Sequence, residues 1–184
     1  MQKREDVLLV DGYNIIGAWP DLAALKHEKL ENARDRLIEM LADYQGFSGA
    51  TVIVVFDGYH VAGGTGSDYR HRKLRVVFTR ERETADECIE RLVGEWISVR
   101  RDVYVATSDS TEQHVAFGKG ALRLTARELR LAVDQSRSEI QTTIRREPSP
   151  ERNPLGGVLK DDVWRRLEQM RRGRDPESTE NGDN

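Results

Sequence analysis

Four apolar runs constrain this chain more than anything else in it. They are VLLV at 7–10, TVIVVF at 51–56, LRVVF at 74–78 and VYVA at 103–106. Each has the length of a strand, and β-branched residues dominate them. They are continuous rather than alternating, as in strands buried on both faces by covering helices. Helical spacing fills the gaps between them, so the pattern predicts an α/β fold with a mainly parallel sheet.

Residues 28–44 place Leu30, Ala33, Leu37, Met40, Leu41 and Tyr44 on one face, and Gly46 stands just beyond as a stop. Thr84 with Glu87, and Thr125 with Glu128, are capping-box pairs. The first opens a helix with Ala85, Cys88, Ile89, Leu92 and Trp96 inward. The second opens a long helix reaching about Arg145. A short helix is expected near 111–117, broken by Gly118 and Gly120, and a brief fifth strand at 121–124. Trp19 is expected to pack, with an exposed stacking role as the alternative.

With 184 residues, the chain suits one domain and an extension. We expect a domain over 1–147, then a linker and final helix over 148–173, then a disordered tail over 174–184. Pro148, Pro150 and Pro154 mark the linker. The final helix carries Leu159, Val163, Trp164, Leu167 and Met170 on one side. No run approaches the ~20 apolar residues of a membrane helix, and 1–6 reads as neither signal nor transit peptide. The single Cys88 rules out an internal disulfide and suits a reducing compartment, so cytoplasm is expected.

The net charge of −3 conceals an asymmetry. Residues 119–174 hold 14 Lys and Arg against 8 Asp and Glu. A basic face beside an acidic centre suits phosphate chemistry, although a salt-laced solvent helix gives the same count.

In open α/β sheets, ligands sit beyond the carboxyl ends of the strands. Those positions hold Asp11 and Asn14 after the first strand, Asp57 after the second and Asp109 after the fourth. Glu83, Asp86 and Glu87 follow the third. Each alone is also a common turn or cap residue, and Glu83 and Glu87 are readily explained as helix-start residues. Their joint placement is what points to chemistry. Two carboxylates about 4 Å apart repel by roughly 4 kcal/mol at an effective dielectric of 20. Protonation or a divalent cation must relieve that, and an oxygen-only donor set selects Mg2+ or Mn2+. Such an ion, with an activated water, supports attack on a phosphodiester. Asn14 would orient a carboxylate or a water without adding charge.

Other phosphate-handling motifs are missing. DGYNIIG lacks dinucleotide-fingerprint spacing, and there is no P-loop lysine or GxSxG. Tyr13 stands where a haloacid-type phosphatase needs its second aspartate. His27, His60, His71 and His114 have no metal-ligand spacing with Cys88.

The stretches LLVDGYNIIGAWPDL, VIVVFDG, VVFTRERETADECIE and VATSDSTEQ…FGKGALRLTARELR resemble the YacP-like branch of the NYN domains, which are PIN-like nucleases. The resemblance runs through about residues 7–145. It implies a PIN-like three-layer α/β/α sandwich and a Mg2+- or Mn2+-dependent endoribonuclease site. Matched by motif, Asp11 and Asn14 are the first-strand acid and its amide partner. Asp86 is the central acid and Asp109 the acid after the fourth strand, with Ser108 beside it. The same resemblance implies mRNA decay in the bacterial cytoplasm, linked to the translating ribosome.

The glycine-rich stretch 58–73 follows Asp57 directly. It is expected to be a mobile loop, with Tyr59, His60, Tyr69, Arg70, His71, Arg72 and Lys73 offering stacking faces and positive charge to single-stranded RNA. An ordinary solvated loop is the other reading. Arg123, Arg127 and Arg130 either track phosphates or form a solvent face. Two rival functions stand beside the endoribonuclease. One is a non-catalytic RNA- or ribosome-binding module, and the other a small-molecule phosphohydrolase, which would need a closed pocket. The pattern sets no oligomeric state.

Overall fold

In the computed structural model, residues 6–58, 65–98, 101–109 and 118–146 are described. The apolar runs become parallel strands β1 (Val7–Asp11), β2 (Thr51–Phe56), β4 (Leu74–Phe78) and β5 (Val103–Ala106). Two more strands complete the sheet: β3 (Ser67–His71), antiparallel to β4, and β6 (Leu122–Leu124), parallel to β5. The order is β3-β4-β2-β1-β5-β6. The helices are α1 (Gly12–Ala18), α2 (Pro20–Glu28), α3 (Leu30–Ser48), α4 (Ala85–Trp96) and α5 (Ala126–Arg146). The chain divides into a large compact unit, Met1–Gln141, and a smaller one, Thr142–Asn184. The expected short helix at 111–117 and the C-terminal linker, helix and tail lie outside the described residues.

Two cores account for the unbroken apolar strands. Leu8, Val10, Val52, Val54, Phe56, Leu74 and Val76 face one way, against α1, α2, α3 and the start of α5. Val7, Leu9, Ile53, Val55, Val77, Val103 and Val105 face the other way, against Ala85, Cys88, Ile89, Leu92 and Val93 of α4. Each of the four apolar strands thus alternates between two buried faces, and the result is the expected three-layer α/β/α sandwich.

The structure departs from sequence expectation in three places. Part of the stretch read as a loop, Ser67–His71, forms β3, an exposed edge strand. It is almost wholly polar and so carried no apolar signal. Residues 12–28, between the first strand and the expected helix, fold into α1 and α2; Asp11 caps the first and Pro20 opens the second. Helix α3 runs through Gly46 and stops at Gly49, which adopts φ 71° and donates its N–H to Gln45. A left-handed cap terminates a helix more firmly than a helical glycine does.

Both capping boxes form. Thr84 and Glu87 exchange hydrogen bonds at the start of α4, and Thr125 and Glu128 do so at the start of α5. Trp19 packs, as expected. It is buried, and its indole N–H donates to the Ala126 carbonyl at 2.9 Å, tying the α1–α2 corner to α5.

Gly12 makes the turn out of β1 possible, because a Cβ there would stand 2.2 Å from the Phe56 ring. That ring is fully buried and has no room to retreat. Gly94 in α4 has nothing within 4 Å of the same atom. Gly12→Ala is therefore expected to cost about 1–3 kcal/mol through overpacking. Gly94→Ala should gain up to about 1 kcal/mol through helix propensity. Thermal and urea unfolding of the two variants checks this, and equal stabilities would remove the Phe56 contact as the reason for Gly12.

Candidate active site

Strand order reverses between β1 and β5: from β1 the chain builds outward through β2 and β4, then returns to add β5 and β6 on the other side. Such a switch point leaves a crevice at the carboxyl ends, because successive connections leave it in opposite directions. Asp11, the last residue of β1, and Thr107–Asp109, just past β5, stand on its two sides.

Asp11 is held firmly. Its carboxylate caps α1 by accepting the Asn14 N–H at 3.2 Å, and the residue is only 8% exposed. Asn14 in turn closes the crevice. Its Oδ1 accepts the Ser108 N–H at 2.6 Å and also the Ser108 hydroxyl, a link across 94 residues of sequence. The buried Thr107 hydroxyl accepts the Asp109 N–H at 3.0 Å and shapes the same turn. On the β2 side, the buried Thr79 hydroxyl accepts the Gly58 N–H at 2.9 Å and fixes the chain just after Asp57. Asp86 lies in the first turn of α4.

Electrostatics joins these segments. Burial is the largest effect on Asp11, opposed by the Asn14 N–H; the charges of Asp86, Asp109 and Asp57 add to it, and its pKa is pushed up to about 6. Asp86 is also raised, first by burial and then by Asp109, Asp57 and Glu87. Four carboxylates from four separate segments therefore share one field at the carboxyl rim. Glu83 and Glu87 are turned to other work. Glu83 pairs with Arg91 at 2.9 Å, and Glu87 completes the α4 capping box.

The expected RNA-contacting residues separate. β3 runs antiparallel to β4, with Ser67 beside Phe78 and His71 beside Leu74. His71, Arg72 and Lys73 thus lie at the amino end of β4, opposite the carboxylates. There His71 and Arg72 meet Glu39, and Arg72 also meets Asp43. Tyr69 and Arg70 lie along β3 between the two ends. Tyr59 and His60 are outside the described residues. On α5, Arg130 pairs with Asp21 and Asp134 and covers the Trp19 ring at 5.0 Å. Arg127 is in the first turn of that helix, and Arg123 in β6.

Thr107, Thr79, Tyr13 and Arg34 escaped the sequence reading. A polar triplet directly after a strand, TSD, was a usable signal for Thr107. Nothing in the spacing of α3 distinguishes Arg34, whose guanidinium donates to the Tyr13 hydroxyl at 3.1 Å.

A protein-family model, YacP-like NYN domain, matches residues 8–172. The chain belongs to the YacP-like NYN domain family. Its relatives include a Bacillus subtilis (strain 168) protein, Uncharacterized protein YacP, 46% identical over 169 residues, which cover 91% of this chain and 98% of that one. The fold is similar to the crystal structure of Rae1 (YacP) from Bacillus subtilis. Identity there is 45%, coverage 91% of this chain and 95% of that one, and the TM-score 0.71. A mutant form of Rae1 matches at 41% identity and TM-score 0.70, covering 90% of this chain and 99% of that one. Membership in the NYN family implies a nuclease-like function related to RNA.

The donor chemistry of this NYN site suits a hard divalent cation: carboxylate oxygens, one of them raised by burial and further by three others. Among the described residues, no three His, Cys, Asp or Glu side chains form a ready-made metal cage. Mg2+ seldom needs one, since it keeps several waters and takes one or two carboxylates together with substrate phosphate oxygens.

The Asp11 shift fixes the sign of a stability test. The native state holds this proton up to about pH 6, whereas the unfolded chain releases it near 3.9. The cost of ionising Asp11 is therefore absent below the unfolded value and fully present above pH 6. Asp11→Asn is expected to stabilise the metal-free protein by about 1–3 kcal/mol at pH 7.5, with no gain at pH 3.5. Unfolding in EDTA at the two pH values measures it, and a gain independent of pH would contradict the assignment.

Proposed function

We propose that this chain is a divalent-metal-dependent endoribonuclease that cleaves single-stranded mRNA in the cytoplasm, in association with the translating ribosome. The observation that carries the reading is the gathering of Asp11, Asp57, Asp86 and Asp109 into one field at the switch point. Family membership supports the RNA substrate. Ribosome association and mRNA decay rest on the family resemblance. The absence of a membrane-spanning helix among the described residues is compatible with the proposed location.

In this reading Asp11, Asp86 and Asp109 hold Mg2+ or Mn2+, and Asp57 lies within the same field. The cation, when bound, neutralises these acids, polarises the phosphodiester and makes a nearby water more acidic. The remaining work belongs to the chain. The Asn14–Ser108 link ties the turn that carries Asp109 to the helix that Asp11 caps. The Asp11 cap to α1 denies that carboxylate other rotamers. Glu83 is occupied by Arg91 and Glu87 by the Thr84 cap, and Glu87 adds its charge to the field on Asp86.

The alternative is a non-catalytic RNA- or ribosome-binding module on a degenerate nuclease fold. Asp86→Asn separates the two. As an endoribonuclease, the unaltered protein cleaves single-stranded RNA in Mg2+ or Mn2+, with ribosomes added if free RNA is inert. EDTA should abolish this, and Asp86→Asn should lower the rate by at least about a hundredfold, the scale expected when charge stabilisation at the reacting phosphate is lost. Salt-sensitive RNA binding with no metal-dependent cleavage would establish the binding module instead. Equal rates for the two proteins would remove Asp86 from the chemistry.

A further inference from the structure

A row of aromatic rings starts two residues past Asp11 and crosses the sheet to its exposed edge strand. Tyr13, two residues past Asp11, meets Phe56 with ring centroids 5.1 Å apart. Phe56 stacks on Phe78 at 5.2 Å, and Phe78 on Tyr69 at 6.5 Å with ring planes only 14° apart. The row crosses from α1 over β2 and β4 to β3. Phe56 is wholly buried, whereas Tyr69 is 45% exposed. Burial explains Phe56, whereas Tyr69 stacks on Phe78 and still leaves nearly half its surface to solvent.

One cation is built into this row. The Arg34 guanidinium lies 5.5 Å from the centroid of Phe78, donates to the Tyr13 hydroxyl, and pairs with Glu31 at 3.6 Å. Its side chain is 13% exposed. A guanidinium fixed over one ring and bonded to another tyrosine is preorganised, and less entropy is lost when it meets a phosphate. Helix α3 begins at Leu30, at the rim where β2 and β4 end, so Arg34 is at the level of the carboxylates. Asp57 is near enough for its charge to act on Tyr13. A phosphodiester approaching four aspartates needs a positive group at the approach, and Arg34 is placed for that.

We propose that Tyr69, backed by Phe78, is a stacking shelf for one unpaired base of the substrate strand, and that Arg34 holds an adjacent phosphate, so that the strand is led from the edge of the sheet over the end of β4 toward the carboxylates. The site would take single-stranded nucleic acid, because an exposed ring face beside a fixed cation accepts any base that is out of a duplex. The shelf rests on the reading of the chain as an RNA nuclease, and it assigns Tyr69 and Arg34 as positioning residues.

The test separates the shelf from the chemistry. Binding of a fluorescent single-stranded oligoribonucleotide is measured by anisotropy in EDTA, where metal-dependent cleavage cannot occur. Tyr69→Leu keeps apolar packing on Phe78 but has no ring face, and should bind about tenfold more weakly. Tyr69→Phe should bind as the unaltered protein does. Arg34→Gln should weaken binding and flatten its salt dependence. An oligonucleotide series with a single abasic position moved along the strand adds a readout that mere misfolding would not reproduce. One position should cost the unaltered protein affinity and cost Tyr69→Leu nothing further. Equal affinity of Tyr69→Leu and the unaltered protein, no abasic position coupled to Tyr69, or no measurable binding by the unaltered protein would overturn the shelf. The nuclease reading fails separately, if metal-dependent cleavage is absent while the Tyr69 coupling is present.

Discussion

Everything at this site depends on a carboxylate that the fold will not let escape from other carboxylates. Asp11 ends the central strand of the sheet, caps the helix that follows, and is nearly out of contact with water. Its position is set by the register of β1 against β2 and β5, and by the Gly12–Phe56 contact. Side-chain rotation offers little relief. Coulomb repulsion therefore acts on fixed charges, and in a site partly screened from water it is worth more than at an open surface. Burial first, and repulsion from Asp86, Asp109 and Asp57 after it, keep a proton on Asp11 to about pH 6. A bound cation would replace that proton, and with it the energetic frustration of the metal-free state.

Neighbouring residues limit how large that frustration becomes. Asn14, as an amide, accepts two hydrogen bonds from Ser108 without adding a fifth negative charge. Glu83 and Glu87 stand close in sequence to Asp86; Glu83 is paired with Arg91, and Glu87 is held in the α4 capping box, from where its charge still acts on Asp86. Thr107 and Thr79 are both buried, and both use their hydroxyls to satisfy backbone N–H groups in the turns that present Asp109 and Asp57. A buried N–H left unsatisfied there would cost about 1–3 kcal/mol. These hydroxyls are part of what allows polar turns to lie against an apolar sheet.

The architecture was legible because two-face burial forces unbroken apolar runs, and VLLV, TVIVVF and VYVA cannot be placed anywhere else. The acids were legible for a related reason: in a parallel sheet every carboxyl end is at the same rim, so counting residues after each strand amounts to locating them in space. Polar β3 was not legible, since an exposed edge strand needs only backbone pairing from its one neighbour and leaves no hydrophobic period. Arg34 was not legible either. Its role comes from the approach of α3 to the ends of β2 and β4, which no spacing along α3 encodes. The sequence also grouped Tyr69 with His71, Arg72 and Lys73, and there adjacency misleads: a strand carries its residues away from the rim as surely as it carries them along.

That divergence has a consequence for how RNA would lie on the protein. A five-residue strand such as β4 spans about 16 Å, beyond the ~8 Å Debye length at physiological ionic strength. The positive charges of Arg72 and Lys73, at the amino end of the sheet, are thus screened from a phosphate at Asp11. Arg72 is further discounted by its pairs with Glu39 and Asp43. Whatever steers a phosphate into the acidic centre must act from the carboxyl rim itself. On the α3 side of that rim, Arg34 is the cation held in place by an aromatic ring and a tyrosine hydroxyl. The sheet that gathers the aspartates thereby also decides which basic residues can matter to the reacting phosphate, and it selects by height along the strands rather than by position along the chain.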